Sequence, residues 1–276
     1  MRPKDLVMDL FGDYIRYMGG SIRLSQLTHL LTLFDVEPST ARVTLSRMRK
    51  EGWVRTERNG RQMTYFATPQ LLRVLDEGRE RIFGPSQRPW PGQWTMVLYQ
   101  IPESRRQQRE SLKRMLTWEG FGQLNPTTWI SPRDIREKIR ESLDEASEGN
   151  VEGSVHVVTM STGNWTRDRQ LAHQCWDLDN LASDYRRFID TWSPSPLHGA
   201  DHADLSPESA LISRVKLIWD YRHFPFKDPG LPTALQPEGW PGGQAHELFL
   251  QRHSELTAEA NSYMSSVLTG HEGRTS

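Results

Sequence analysis

The 276-residue sequence predicts an α+β multidomain chain. It divides into an N-terminal winged helix-turn-helix over 1–83, a central ferredoxin-like domain over 93–168 and a C-terminal helical domain over 169–270. Three observations carry that prediction. Three helical periods end in two β-prone runs around Asn59-Gly60, the strongest short-range hairpin signal. Strand and helix patterns then alternate from Trp94 to Met160. From Arg169 onward the apolar spacing is helical.

In the N-terminal part, Leu6, Met8, Leu10, Phe11, Ile15 and Met18 give a helical spacing over Asp5–Met18, stopped by Gly19-Gly20. Ser21-Ile22-Arg23 reads as a short strand. Ser25 is the expected N-cap of a second helix, with Leu27, Leu30, Leu31 and Phe34 on one face. After a turn at Asp35–Pro38, a third helix begins with Pro38 at its first position and runs to Lys50 or Glu51, where Gly52 ends it. Two strands, Trp53–Arg58 and Arg61–Phe66, flank Asn59-Gly60, and a helix follows over Pro69–Ile82.

The stretch GPSQRPWPG at 84–92 is a linker by its Pro and Gly content. Beyond it, Trp94–Tyr99 reads as a buried strand and Arg105–Glu119 as a helix. Phe121–Ile130 holds one or two strands, Pro132–Ser147 a helix and Ser154–Met160 a strand. Helices are expected near 207–223 and 244–268, with a loop over Pro194–Asp204 and a disordered tail at 271–276.

Composition narrows the function classes. No apolar run approaches the ~18 residues of a membrane span, and the first residues lack a signal-peptide core, so a cytoplasmic protein without membrane partners is expected. A single cysteine, Cys175, excludes an intrachain disulfide and a multi-cysteine zinc site. Net charge is −1, but it is unevenly spread. Residues 1–85 hold fourteen Lys/Arg against ten Asp/Glu, net +4, leaving −5 for the rest. Over 39–66 seven basic residues face only Glu51 and Glu57, a local balance suited to a polyanion.

The third helix supplies the reading surface. At 100° per residue Ala41, Thr44, Leu45 and Met48 share the side that packs on the second helix. The opposite side carries Ser39, Arg42, Val43, Ser46, Arg47 and Lys50. Arginine forks onto guanine, serine reaches base or phosphate, and valine touches a thymine methyl when such a helix lies in the major groove. The hairpin tip adds Arg58, Asn59 and Arg61 for the neighbouring minor groove or backbone. An ordinary amphipathic helix beside a surface hairpin is the bland alternative, and the conjunction of face, turn and charge weighs against it.

These residues carry a family resemblance. LFGDYIRYMGG, ARVTLSRMRKEGWV and GRQMTYFATP resemble the start of the PaaX family of phenylacetic-acid catabolon repressors. The likeness continues through ERIFGP, WTMVLYQIPES, FGQLNPTTWISP, WDLDNLASDYRRFID and HFPFKDPGLPTALQPEGWPGGQAHELF, and so covers nearly the whole chain. It implies a winged helix, a central domain similar to the CRISPR-associated Cas2 proteins and a family-specific helical part. It further implies a homodimeric repressor of an aromatic-acid operon, bound to double-stranded operator DNA and released by an aryl-acyl-CoA or other acyl-CoA effector such as phenylacetyl-CoA.

One departure bears on chemistry. Cas2-type nucleases carry an aspartate at the end of the first strand; Leu98-Tyr99-Gln100-Ile101 puts Gln100 there, and an amide is a poor metal ligand. Glu103 is expected to cap the next helix. No catalytic residue, metal or cofactor is therefore assigned. A metal-dependent nuclease and a transcription activator remain the alternatives. His198 and His202 have helical metal spacing but fall in a Pro/Gly-rich loop. Neither a Gly-rich phosphate loop nor a GxSxG elbow occurs. Ten tryptophans are rich for this length, and Trp129, Trp165, Tyr185 and Arg186 are the expected effector site, with core packing as the alternative use of the rings.

Overall fold

The computed structural model describes residues 1–84, 90–146, 155–193 and 205–270. The expected tail at 271–276, the His198/His202 pair and 85–89 of the expected linker lie outside them. The chain is mixed α and β, and its contacts fall into two compact units. One unit comprises 1–84, 189–222 and 247–276; the other comprises 85–188 and 223–246.

The first unit opens with α1 (Pro3–Asp13), which buries Leu6, Val7, Leu10 and Phe11. The helical period predicted to reach Met18 breaks at Tyr14, whose φ of −132° leaves the helical region, and a 3₁₀ turn over Ile15–Tyr17 follows. Strand β1 (Ser21–Arg23) leads into α2 (Leu24–Thr32). The cap of α2 differs from the expectation: Arg23, not Ser25, is the N-cap residue. Its N–H donates to Gln26 Oε1 at 3.0 Å, so a side chain inside the first turn satisfies the group. Helix α3 (Pro38–Lys50) has Pro38 in its first turn, and Gly52 turns the chain out at φ +79°.

Strands β2 (Val54–Asn59) and β3 (Gln62–Ala67) pair antiparallel with β1 in the order β1-β3-β2, and α4 (Pro69–Phe83) follows. Thr68 caps α4 by accepting from Leu71 N–H at 3.3 Å. The hairpin turn lies one residue later than expected. Asn59 pairs with Gln62, so Gly60 and Arg61 form the loop. Among these only Gly60 has positive φ, at +58°, which fits a loop with glycine at its first central position rather than an Asn-Gly one.

In the second unit the order is β4 (Trp94–Tyr99), α5 (Arg106–Trp118), β5 (Gly122–Asn125), β6 (Thr128–Ser131), α6 (Arg136–Ala146) and β7 (Val155–Met160). The sheet order β5-β6-β4-β7, antiparallel throughout, is the ferredoxin-like arrangement. Both faces of this sheet are covered. On one, Val97, Tyr99, Trp129 and Val157 pack with Leu112 and Leu116 of α5 and Ile139 of α6. On the other, Trp94, Met96, Ile130 and Met160 pack with Ala172 of α7 (Trp165–Cys175), Leu178, Leu231 and Leu235. Two apolar faces explain why WTMVLY reads as an unbroken apolar run rather than an alternating one.

The described elements after β7 are all helical: α7, α8 (Leu178–Trp192), α9 (Pro207–Tyr221), α10 (Phe224–Lys227), α11 (Gly242–Glu255) and α12 (Thr257–Thr269), with a 3₁₀ turn at Thr233–Leu235. Residues 169–270, expected as one helical domain, are shared between the two units. The reason is burial: α9 and α12 pack on each other and α9 on α1, whereas α7 covers the four-stranded sheet. The single helix expected over 244–268 is two, parted at Leu256. There the Thr257 hydroxyl donates to the His253 carbonyl at 2.7 Å, a bond that competes with the helical ladder.

Candidate nucleic-acid interface

The sequence of α3 separates two faces, and the structure buries one of them. Ala41, Leu45 and Met48 are fully buried, at spacings of four and three, so they fall on one side of the helix. That side packs on α1 and α2. Leu45 and Met48 are each worth roughly 1.5–3 kcal/mol in burial, enough to hold the helix in one rotation about its axis. Ser39, Arg42, Val43, Ser46, Arg47 and Lys50 are left on the exposed side. Val43 is 63% exposed, an apolar contact presented to solvent with no intramolecular use.

The cations of this face keep their charge free. Among the described residues no ion pair involves Arg42, Arg47, Lys50 or Arg61, while nearby Lys4 is paired with Glu51 at 2.7 Å and Arg55 with Glu57. The Lys4 hydrogen bond, with smaller help from Trp53 and Arg47, holds the Glu51 carboxyl below its usual range, so the one acid at the end of α3 is neutralised. What remains is a row of unsatisfied guanidinium and ammonium groups on a rigid helix, the pattern that phosphate oxygens and guanine edges satisfy.

At the hairpin tip Arg58, Asn59 and Arg61 are all exposed. Arg58 Nε donates to Gly60 O at 3.0 Å, which ties its guanidinium across the turn. Arg61 projects from the loop itself. The side of α3 also carries two exposed residues that the sequence reading passed over, Thr40 and Arg49. Arg49 follows Arg42 by seven residues and so lies about 20° from it around the helix, a signal present in the spacing. Its charge also acts on Tyr65 of β3, opposing the rise that burial imposes on that hydroxyl.

The four residues expected at an effector site all belong to the second unit, but they are not gathered into one place. Trp129 is buried beneath α5 and α6, with its Nε1–H lacking an acceptor. Trp165, at the start of α7, is 55% exposed and meets Trp90 edge-on at 5.3 Å, on the opposite side of the sheet. Tyr185 is buried, stacked on Phe224 at 4.2 Å, and its hydroxyl donates to Asp228 Oδ2 at 2.8 Å. Burial pushes the Asp228 carboxyl up despite that bond and one from Gly230 N–H. Arg186 is exposed on α8. Local spacing identified aromatic residues but held no information on which face of the sheet each one takes.

Gln100 stands exposed just past β4. Glu103 sits in a 3₁₀ turn over Glu103–Arg105 and pairs with Arg109 Nη2 at 2.8 Å, a partner not anticipated from its place ahead of the helix. Among the described residues no group of three or more His, Cys, Asp or Glu converges, and no helix is long and apolar enough to cross a membrane.

Comparison with known proteins gives concordant results. Three family models match in succession: "PaaX-like protein" over 2–70, "PaaX protein central Cas2-like domain" over 87–172 and "PaaX-like protein C-terminal domain" over 176–266. The chain is 28% identical over 261 residues to the "Transcriptional repressor PaaX" of Escherichia coli (strain K12), covering 94% of this chain and 82% of that one. Among solved structures it is similar to "Uncharacterized protein Rv0674 from Mycobacterium tuberculosis", with a TM-score of 0.62 at 20% identity, over 96% of this chain and 99% of that chain. That structural likeness speaks to the fold alone.

Proposed function

The chain belongs to the PaaX family, and from that premise we propose that it is a DNA-binding transcription regulator acting in the cytoplasm as a homodimeric repressor. In this reading residues 1–83 are a winged helix whose α3 enters the major groove and whose β2-β3 hairpin is the wing. The observation that carries it is the outer face of α3: Arg42, Arg47 and Lys50, exposed and without ion pairs among the described residues, around Ser39, Val43 and Ser46. Arg58, Asn59 and Arg61 supply the backbone or minor-groove contacts from the wing. Two copies read half-sites a whole number of DNA turns apart, ~34–36 Å per turn.

The controlled genes belong to aromatic-acid breakdown, and an aryl- or acyl-CoA thioester such as phenylacetyl-CoA releases the operator. The effector is taken by the second unit, where Trp165 offers an exposed ring and Arg186 an exposed cation, while Trp129 and Tyr185 are buried in its core. A coupling of about 1–3 kcal/mol between effector and DNA lowers operator affinity roughly 5–150-fold.

Fluorescence anisotropy on a fragment of the gene's own upstream region, at fixed salt, tests this. It is repeated with phenylacetyl-CoA, free coenzyme A and phenylacetate. Selective binding weakened only by the thioester is the expected result. Selective binding indifferent to all three removes the effector, and absence of selective binding removes the operator assignment.

A further inference from the structure

The surface that reads DNA is only as well placed as the helix behind it. Helix α3 packs on α2, and α2 carries two polar side chains on one face, Gln26 and His29. Both are spent on helices from the far end of the chain. Gln26 is buried, and its Nε2 donates to the carbonyl oxygens of Val267 at 2.8 Å and Leu268 at 2.9 Å. Its Oε1 accepts from Arg23 N–H at 3.0 Å. The last carbonyls of a helix and the first N–H groups of another have no partners of their own. One amide therefore serves the start of α2 and, beside the Gly270 N–H that reaches the Val267 carbonyl at 3.3 Å, the end of α12, although Gln26 and Val267 are 241 residues apart.

A second connection runs alongside. His29 Nε2 meets the Tyr263 hydroxyl at 3.1 Å, and that hydroxyl donates to Glu208 Oε2 at 2.9 Å in the first turn of α9. Burial and the Glu208 carboxylate both keep the Tyr263 phenol protonated. The Tyr263 hydroxyl thus donates to Glu208, and its oxygen accepts from His29 in the tautomer that carries the hydrogen on Nε2. Two adjacent points on α2 are fixed to α12, and through α12 to α9, by bonds with one compatible arrangement of donors and acceptors.

We infer that Gln26 is a positioning residue for DNA binding: through its amide, the last turn of α12 sets the pose of α2 and hence of α3. The inference rests on the proposal that α3 reads the operator. It makes α12 part of the DNA-reading apparatus, and its docking on α2 a point at which the rest of the chain sets operator affinity.

Three full-length variants separate the two halves of the amide. Gln26→Glu keeps the acceptor for Arg23 N–H but removes both donors and sets a carboxylate against the carbonyls of α12. Gln26→Met removes donors and acceptor without charge. Gln26→Lys restores donors to α12 and abandons the α2 cap. The measurement is the ratio of operator to scrambled-DNA affinity at fixed salt, with hydrogen exchange over 257–269 in the free protein and thermal unfolding as a check on folding.

The Glu and Met variants are expected to lose roughly ten-fold in that ratio, about 1.4 kcal/mol, with faster exchange in α12. The Lys variant is expected to stay within about two-fold of the parent with α12 protected. A purely structural role moves the melting temperature and leaves the ratio of the folded protein unchanged, and that result overturns the inference. So does a Lys variant as impaired as the Glu variant. A parent chain that does not prefer its operator fails the underlying reading instead, and takes the inference with it.

Discussion

Asp9 on α1 offers a quantitative test of how the N-terminal helices are seated. Its carboxylate accepts from Arg222 Nη1 at 2.7 Å, while Asp5 and Asp13 stand nearby on the same helix. Burial dominates, opposed by Arg222 and reinforced by the two neighbouring acids, and raises its pKa from 3.8 to about 7. The folded chain therefore holds a proton that the unfolded chain has already lost. Stability from this group is full below about pH 4 and declines as pH rises towards 7. Between pH ~5 and ~8 the loss integrates to about 2.5 kcal/mol. Asp9→Asn keeps an oxygen for Arg222 and cannot ionise, so it abolishes that decline. Urea unfolding at the two pH values, followed by hydrogen exchange in peptides from α1 and α9, measures it after correction for intrinsic exchange rates. The variant should exceed the parent at both pH values, with the gap widening by about 2.5 kcal/mol from pH ~5 to ~8. Equal pH slopes in parent and variant would refute the assignment of a buried, proton-holding Asp9.

Three further outcomes are expected. Arg47→Ala should weaken operator binding by ~1–3 kcal/mol and relax one base preference, and an unchanged preference in a binding-site selection removes Arg47 from base readout. Gly122→Ala should destabilise the second unit by about 1–3 kcal/mol in chemical unfolding, because a Cβ there would stand 2.6 Å from both Cys175 Cβ and a Trp176 ring carbon. Burial pushes the Cys175 thiol up to about 12, so at pH ~8 iodoacetamide should label it far more slowly than free glutathione, and comparable rates would contradict its burial.

Legibility in the sequence followed the range of the interaction. The exposed face of α3, the apolar strand β4 and the hairpin around Gly60 depend on residues within one or two turns of each other, and periodicity reports them directly. The turn itself slipped by one residue because register is set by the whole ladder from Val54↔Ala67 to Asn59↔Gln62, not by the Asn-Gly pair alone. Ser25 looked like the cap of α2 on local preference; the N-cap is Arg23, whose N–H is accepted by a Gln26 amide that also donates to α12.

The sequence by itself determined which stretches are helices and strands, where positive charge concentrates and which side of α3 stays wet, since each depends on near neighbours and on hydrophobicity. Only the tertiary structure decided the partners that lie far along the chain. It placed Arg222 against Asp9, and it joined Arg214 to Asp13 at 2.9 Å. It also seated Gln26 on the last turn of α12 and put Trp129 and Trp165 on opposite sides of one sheet. Such pairings arise when surfaces hidden in different segments are buried together, and no local pattern records which charge will meet which.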